Sequence, residues 1–293
     1  MKKIAWIFML IMAALTTQAA ATDSHKGDDS DARCGNRKSF VRSDQLTIIA
    51  LTADQRLLSF RECNPTRSHQ IGSVYGLQAS DTMLVGIDFR VQDGLLYGVG
   101  NGGGIYTIDT NTAVATMVTQ LTETLDGDLF GVDFNPAANA LRIISNTGQN
   151  LRHPFAGQLM FQTQKDAPLN YVPAATATGL TGAAYTNNDL DPNTGTTLFD
   201  IDTTLNQVVI QSPPNAGSLV AAGLLTVDAD TPVGFDIYTK LQKNVAINNS
   251  GFASLVVGGV YGFYRVNFLT GQAFLIDYFG DAVIDIAIPL DQK

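Results

Sequence analysis

From Leu46 onward the chain is written in short apolar runs of Val, Ile, Leu, Tyr and Phe, separated by clusters of Gly, Asn, Asp, Pro and Thr. The run TIIALTADQRLLSF at 47–60 is typical: two apolar stretches, each about the length of a strand, with a turn sequence between them. No segment carries the 3.6-residue apolar stripe of an amphipathic helix, so the pattern predicts an all-β domain.

A unit recurs within this text. GIDF at 86–89, GVDF at 131–134, GAAY at 182–185, GFDI at 234–237 and VIDI at 283–286 place Asp88, Asp133, Ala184, Asp236 and Asp285 at equivalent positions. They lie roughly fifty residues apart, the period of a strand-built repeat such as a propeller blade. Each unit continues with a second strand ending in small residues (LLYGVGN, LRIISN), a third running into a turn (IYTIDTNTA, LFDIDTTLN), and a fourth (ATMVTQL, QVVIQ). Four short antiparallel strands make one blade. The first unit has no Gly-x-Asp strand ahead of Leu46, whereas VIDIAIPL at 283–290 is followed by nothing that could complete a blade of its own. The last strand is therefore expected to complete the first blade and to close five blades over 46–290, which leaves no sheet edge open around the ring. A two-sheet β-sandwich is the alternative if 283–290 does not pair beside 46–52.

The stretch GVDFNPAANALRIISNTGQNLR, with GIDFR, LYGVGN and IYTID before it and AAYTNN and TTLFDID after it, resembles an uncharacterised family of exported bacterial proteins known only as a domain of unknown function. The resemblance covers nearly all of 46–290 and implies an exported, propeller-like domain. It implies no reaction.

The N-terminus changes the picture of where such a domain works. Lys2 and Lys3, a twelve-residue apolar run from Ile4 to Leu15, and small residues ending Ala19, Ala20, Ala21 have the three parts of a secretory signal peptide. The apolar run falls short of the ~20 residues that span a bilayer. Residues 1–21 are thus read as a cleaved signal, 22–45 as a polar flexible leader, and the destination as periplasmic or extracellular. In such a compartment Cys34 and Cys63, the two cysteines, are expected to form a disulfide, with free thiols or a metal pair as weaker alternatives.

The formal net charge is −9, and removal of the signal makes it more acidic. Such a surface repels nucleic acid and anionic membranes. A basic run from Arg33 through Arg37, Lys38, Arg42, Arg56 and Arg61 to Arg67 lacks interleaved aromatics and reads as a solvated face.

Candidate chemistry is sparse. If the first strand of each unit lies innermost, Asp88, Asp133, Asp236 and Asp285 ring a central channel and could hold a hard cation such as calcium. One Asp per blade more readily suits a structural role, each carboxylate accepting backbone N–H groups. DLDPNTGTTLFD at 189–200 partly matches a calcium loop through Asp189, Asp191, Asn193 and Asp200, but its Gly195 is one residue late and a hairpin tip explains the same text. The two glutamates, Glu62 and Glu123, fall in connections, His69 and His153 have no nucleophile motif beside them, and GNGGG at 100–104 reads as a hairpin turn. One segment stands out: Arg142, Ser145, Asn146, Gln149, Asn150 and Arg152 crowd a single hairpin. They are either self-bonded turn residues or a recognition surface whose arginines offer planar donors to a carboxylate or phosphate.

These features favour a monomeric, exported binding module whose partner is a small molecule, a glycan or a protein. A polysaccharide-acting hydrolase or lyase using channel carboxylates and calcium, and a structural surface protein, are the alternatives.

Overall fold

The computed structural model describes residues 45–78, 80–171 and 176–292. The predicted signal peptide, the leader through residue 44, and Cys34 lie outside the described residues.

The five blades are all present. The first contains β1 (Thr47–Thr52), β2 (Arg56–Arg61) and β3 (Asn64–Ser73); the second β4 (Leu84–Phe89), β5 (Leu96–Gly100), β6 (Gly104–Ile108) and β7 (Ala115–Gln120). The third is built from β8 (Phe130–Asn135), β9 (Ala140–Ser145), β10 (Asn150–Pro154) and β11 (Gln164–Lys165), and the fourth from β12 (Leu180–Tyr185), β13 (Leu198–Asp202), β14 (Gln207–Gln211) and β15 (Leu219–Leu224). The fifth comprises β16 (Ala229–Gln242), β17 (Val245–Val257), β18 (Val260–Val266) and β19 (Ala273–Tyr278), after which β20 (Val283–Ala287) returns to the first. There it pairs antiparallel with β1, Ala50 opposite Ile286 and Leu51 opposite Asp285, giving the sheet order β20-β1-β2-β3. Ring closure by the C-terminal strand is thereby established, and the sandwich alternative is set aside.

The strands read as continuous apolar runs because both faces of each blade are covered. Along β1, Ile49 and Leu51 enter one core with Ile87 and Leu96 of the second blade, while Ile48 and Ala50 enter another with Phe252 and Phe263 of the fifth. The period of two thus distributes one strand between two interfaces. Comparable cores fill the remaining joints, including Phe235, Leu255 and Tyr264 against Phe199 and Ala184 between the fourth and fifth blades.

Turns explain the rest of the local sequence. In GNGGG, the β5–β6 hairpin wraps the Asp81 carboxylate, which accepts the N–H groups of Gly102 and Gly104 and the Tyr106 hydroxyl. A Cβ at Gly100 or Gly104 would stand 2.2 Å from Asp81 atoms, so these glycines serve a tight turn, as the sequence predicts. The β16–β17 hairpin runs longer than the other strands. Its far end is tied to the β12–β13 loop, where Asp189 accepts the Ala246 N–H and Asn187 exchanges hydrogen bonds with Asn249.

Candidate functional site

The innermost strands carry the repeated aspartates, and each carboxylate crosses to a neighbouring blade. Asp88 accepts the Phe134 N–H at 2.7 Å, Asp133 that of Tyr185 at 3.2 Å, Asp236 that of Ile288 at 2.6 Å and Asp285 that of Ile87 at 2.8 Å. Four of the five joints are stapled in this way. Ala184, on β12, offers no acceptor at the fifth.

The ring is electrostatically costly. All four carboxyls are buried, and burial is the first cause that pushes each of them up. Asp88 and Asp133 are raised further by the charge of neighbouring ring members, and Asp236 is pushed up to about 7. Oxygens of Asp88, Asp133 and Asp236 lie within 4.8 Å of one another, close enough to share protons or a hard cation; Asp285 falls outside that group. Both oxygens of Asp88 already accept N–H groups, from Phe134 and Phe89, which is the arrangement of a backbone staple.

The calcium-loop residues do not converge among the described residues. Asp189 and Asp191 cap their own turn, accepting the Asp191 and Asn193 N–H groups respectively, while Asp200 is buried on β13 opposite Ala183.

The β9–β10 hairpin separates its candidates sharply. Arg142 is 2% exposed, and its guanidinium donates to Asn150 and Asp166 (2.7 Å each) and to Asn215 (2.8 Å). It joins the third blade to the fourth and does not reach the surface. Asn150 belongs to the same network, donating to the carbonyls of Ala167 and Pro214. Ser145 is buried in the turn, and Gln149 bonds the backbone of Thr124 and Asp126. Asn146 accepts the Asp128 and Leu129 N–H groups through Oδ1. Arg152 alone among the six presents an incompletely engaged cation: Nε and Nη2 face Asp166 at 3.2 and 3.3 Å, and Nη1 has no acceptor among the described residues.

Several partners of this network escape sequence reasoning. Asp166, Tyr185 and Asn215 meet at Arg142 and Gln211 donates to Asn150 beside it; the four come from two strands and two connections, and no local motif announces the meeting. Asp200 faces the same joint. It is fully buried, no donor among the described residues reaches either oxygen, and burial pushes it well up against the opposing field of Arg142. An unpaired buried carboxyl costs more than an apolar group of similar size. Asp200→Leu is accordingly expected to raise stability by roughly 2 kcal/mol, read as a higher denaturant midpoint at unchanged slope; a lower midpoint would mean that Asp200 serves as an ionised partner of Arg142. His153 is likewise buried and structural: burial holds it at about 4, it bonds Thr163 at 3.0 Å, and its ring stacks on Phe161.

Two grooves open beside this hairpin. One, of about 390 Å³, is lined by Ala138, Ala140, Pro154, Ala156, Gln158 and Leu159, with Arg152 as its charged group. The other, of about 340 Å³, is lined by Asn146, Thr178, Gly179, Thr203, Thr204, Ala229, Asp230 and Thr231.

Fold and site together define a five-bladed β-propeller with carboxylate staples around its axis and a polar joint between its third and fourth blades. The chain belongs to the family described as Domain of unknown function (DUF4394), whose profile matches residues 56–287. No curated protein matches it. Among solved structures it is similar to a structural genomics protein of unknown function from Bacteroides thetaiotaomicron, at 12% identity and TM-score 0.45 over 86% of this chain and 68% of that one. Virginiamycin B lyase from Staphylococcus aureus gives 12% identity and TM-score 0.42 over 80% and 70% of the two chains. An auxiliary nutrient binding protein from Bacteroides ovatus gives 10% and 0.40 over 77% and 57%. No helix among the described residues is long and apolar enough to cross a membrane.

Proposed function

We propose that this protein is an exported binding module that takes a small ligand bearing a carboxylate and an apolar tail, in the groove that Arg152 heads. Export rests on the signal-peptide pattern of residues 1–21, and the Cys34–Cys63 disulfide is the pairing that compartment favours. The observation that carries the ligand class is the sharing of one carboxylate by two guanidinium groups. Arg142 and Arg152 both address the same Asp166 oxygen, at 2.7 and 3.2 Å. The trio carries surplus positive charge, and Arg142 is walled in.

Arg152, with its side chain 26% exposed, is where that charge meets solvent. Its free Nη1 edge offers a carboxylate a charge-assisted hydrogen bond at the head of a groove whose other walls are mainly methyl, proline and leucine surface.

Octanoate, octanol and octylammonium share one tail and differ in head charge, so a thermal-shift comparison isolates the role of Arg152. Octanoate alone is expected to raise the melting temperature, since a ligand at ten times its Kd adds about 1.4 kcal/mol. Equal shifts with octanol would reduce the groove to a greasy surface, and no shift with any of the three would remove the reading.

A further inference from the structure

The second groove lies on the opposite face of the ring, beside the turn ends of β9–β10 and β13–β14, and its chemistry differs. Its wall is knit by a chain of hydrogen bonds: the Gly179 N–H donates to the Asn146 carbonyl, the Thr203 hydroxyl to the Gly179 carbonyl at 3.0 Å, and the Thr204 hydroxyl to the Thr178 carbonyl at 3.1 Å. Gly179 holds φ +84° and a Cβ there would stand 2.2 Å from the Thr204 hydroxyl, so this packing requires glycine. Three blades contribute, through Asn146, the Thr203–Thr204 turn and the Ala229–Thr231 start of β16.

The polar atoms facing this groove form a mixed, almost uncharged set. Thr203 and Thr204 donate inward and so leave oxygen lone pairs as acceptors. Asn146 uses its Oδ1 on backbone N–H groups, which leaves the Nδ2 amide as a donor. Thr178 and Thr231 add hydroxyls that rotate to either role, and Asp230 adds one exposed carboxylate. No cationic side chain among the described residues lines the groove, so an anion finds no counter-charge among them. A cation would gain little from one exposed carboxylate, for which about 0–1 kcal/mol is usual. What the set matches is adjacent hydroxyl groups, each of which both donates and accepts.

We propose that this groove is a second binding site, for a neutral hydroxyl-rich ligand of the saccharide class, held by Asn146, Thr178, Thr203, Thr204, Asp230 and Thr231. No aromatic ring among the described residues lines it to stack on a sugar face. Binding therefore rests on hydrogen bonds exchanged with water, and a shallow site of that kind gives weak affinity.

The test is saturation-transfer NMR and titration with maltotriose, cellotriose, glucuronate and spermidine as probes, on the full mature chain. One or both neutral trisaccharides are expected to bind, and glucuronate and spermidine are not. Asn146→Asp keeps the Oδ1 acceptor that caps the loop and exchanges the Nδ2 donor for a charged acceptor oxygen; Asp230→Asn is its isosteric counterpart. Each is expected to weaken trisaccharide binding by about tenfold, as for loss of one good hydrogen bond, while circular dichroism shows both variants folded. Saturating octanoate is expected to leave trisaccharide binding unchanged, which keeps this site independent of the Arg152 reading. Spermidine binding that displaces the trisaccharides, no trisaccharide binding at all, or binding indifferent to both variants would each overturn the proposal.

Discussion

A chain lacking residues 283–293 is expected not to fold. β20 is the innermost strand of the first blade, and it buries Val283, Ile286 and Ala287 almost completely, with Ile288 just beyond it. At about 1.5–3 kcal/mol for each large apolar side chain, this loss alone approaches the 5–15 kcal/mol that stabilises an ordinary domain. It also deletes Asp285, the acceptor for Ile87, removes the Ile288 N–H that Asp236 accepts, and bares the inner edge of β1. The truncated protein should run as aggregate on size exclusion and lose its cooperative melt. A permuted chain with 283–290 placed ahead of residue 46 is the matching control. Ile49 lies opposite Ala287, so a short hairpin would restore the same pairing. A folded truncation, or an unfolded permutant, would contradict ring closure as the source of stability.

The second large effect is on pH. An Asp in the unfolded chain titrates near 3.8, whereas Asp236 in the folded ring titrates at about 7, with burial as the main cause. Below pH 4 the side chain is protonated in both states and its contribution is at its maximum. As pH rises from about 4 to about 7 the unfolded chain ionises and the folded ring does not, so stability falls, by roughly 4 kcal/mol for this one group. Asp88, Asp133 and Asp285 are shifted in the same direction and add to the trend. Denaturant midpoints should therefore be higher at pH 5 than at pH 8. Asp236→Asn, which cannot ionise, should flatten the dependence. Calcium is expected to leave the midpoint at pH 8 unchanged; a marked rise would show that the close carboxylates of Asp88, Asp133 and Asp236 take a cation in place of protons.

The legible and illegible parts of the molecule divide along physical lines. The ring could be read because blade interfaces repeat: four of the five inner strands carry a glycine (Gly86, Gly131, Gly182, Gly234), and four carry the carboxylate two positions on (Asp88, Asp133, Asp236, Asp285). The closing strand was readable for the same reason, since a repeat missing at one end and left over at the other has to be joined. The joint between the third and fourth blades was not readable. Arg142 meets Tyr185 and Asn215 only because the two sheets face each other, and sequence separation hides such a meeting. Asp200 illustrates the hazard most directly, because its place in an Asp-rich loop suggested a metal ligand while its strand register turns it inward against Ala183 and Val209. The polar crowding of the β9–β10 hairpin was a real signal, but most of it serves packing between blades, and one side chain, Arg152, keeps a charged edge with no acceptor among the described residues.

The Nη1 edge of Arg152 is the group that would hold the carboxylate. Isothermal titration of octanoate into the mature wild-type protein and into Arg152→Gln, at one pH and low salt, measures it directly. Saturable binding to the wild type at one site and at least tenfold weaker binding to the variant are expected, as for loss of a charge-assisted pair worth about 1.5–3 kcal/mol. Equal affinity in the two proteins, or no binding to the wild type, would contradict that role for Arg152.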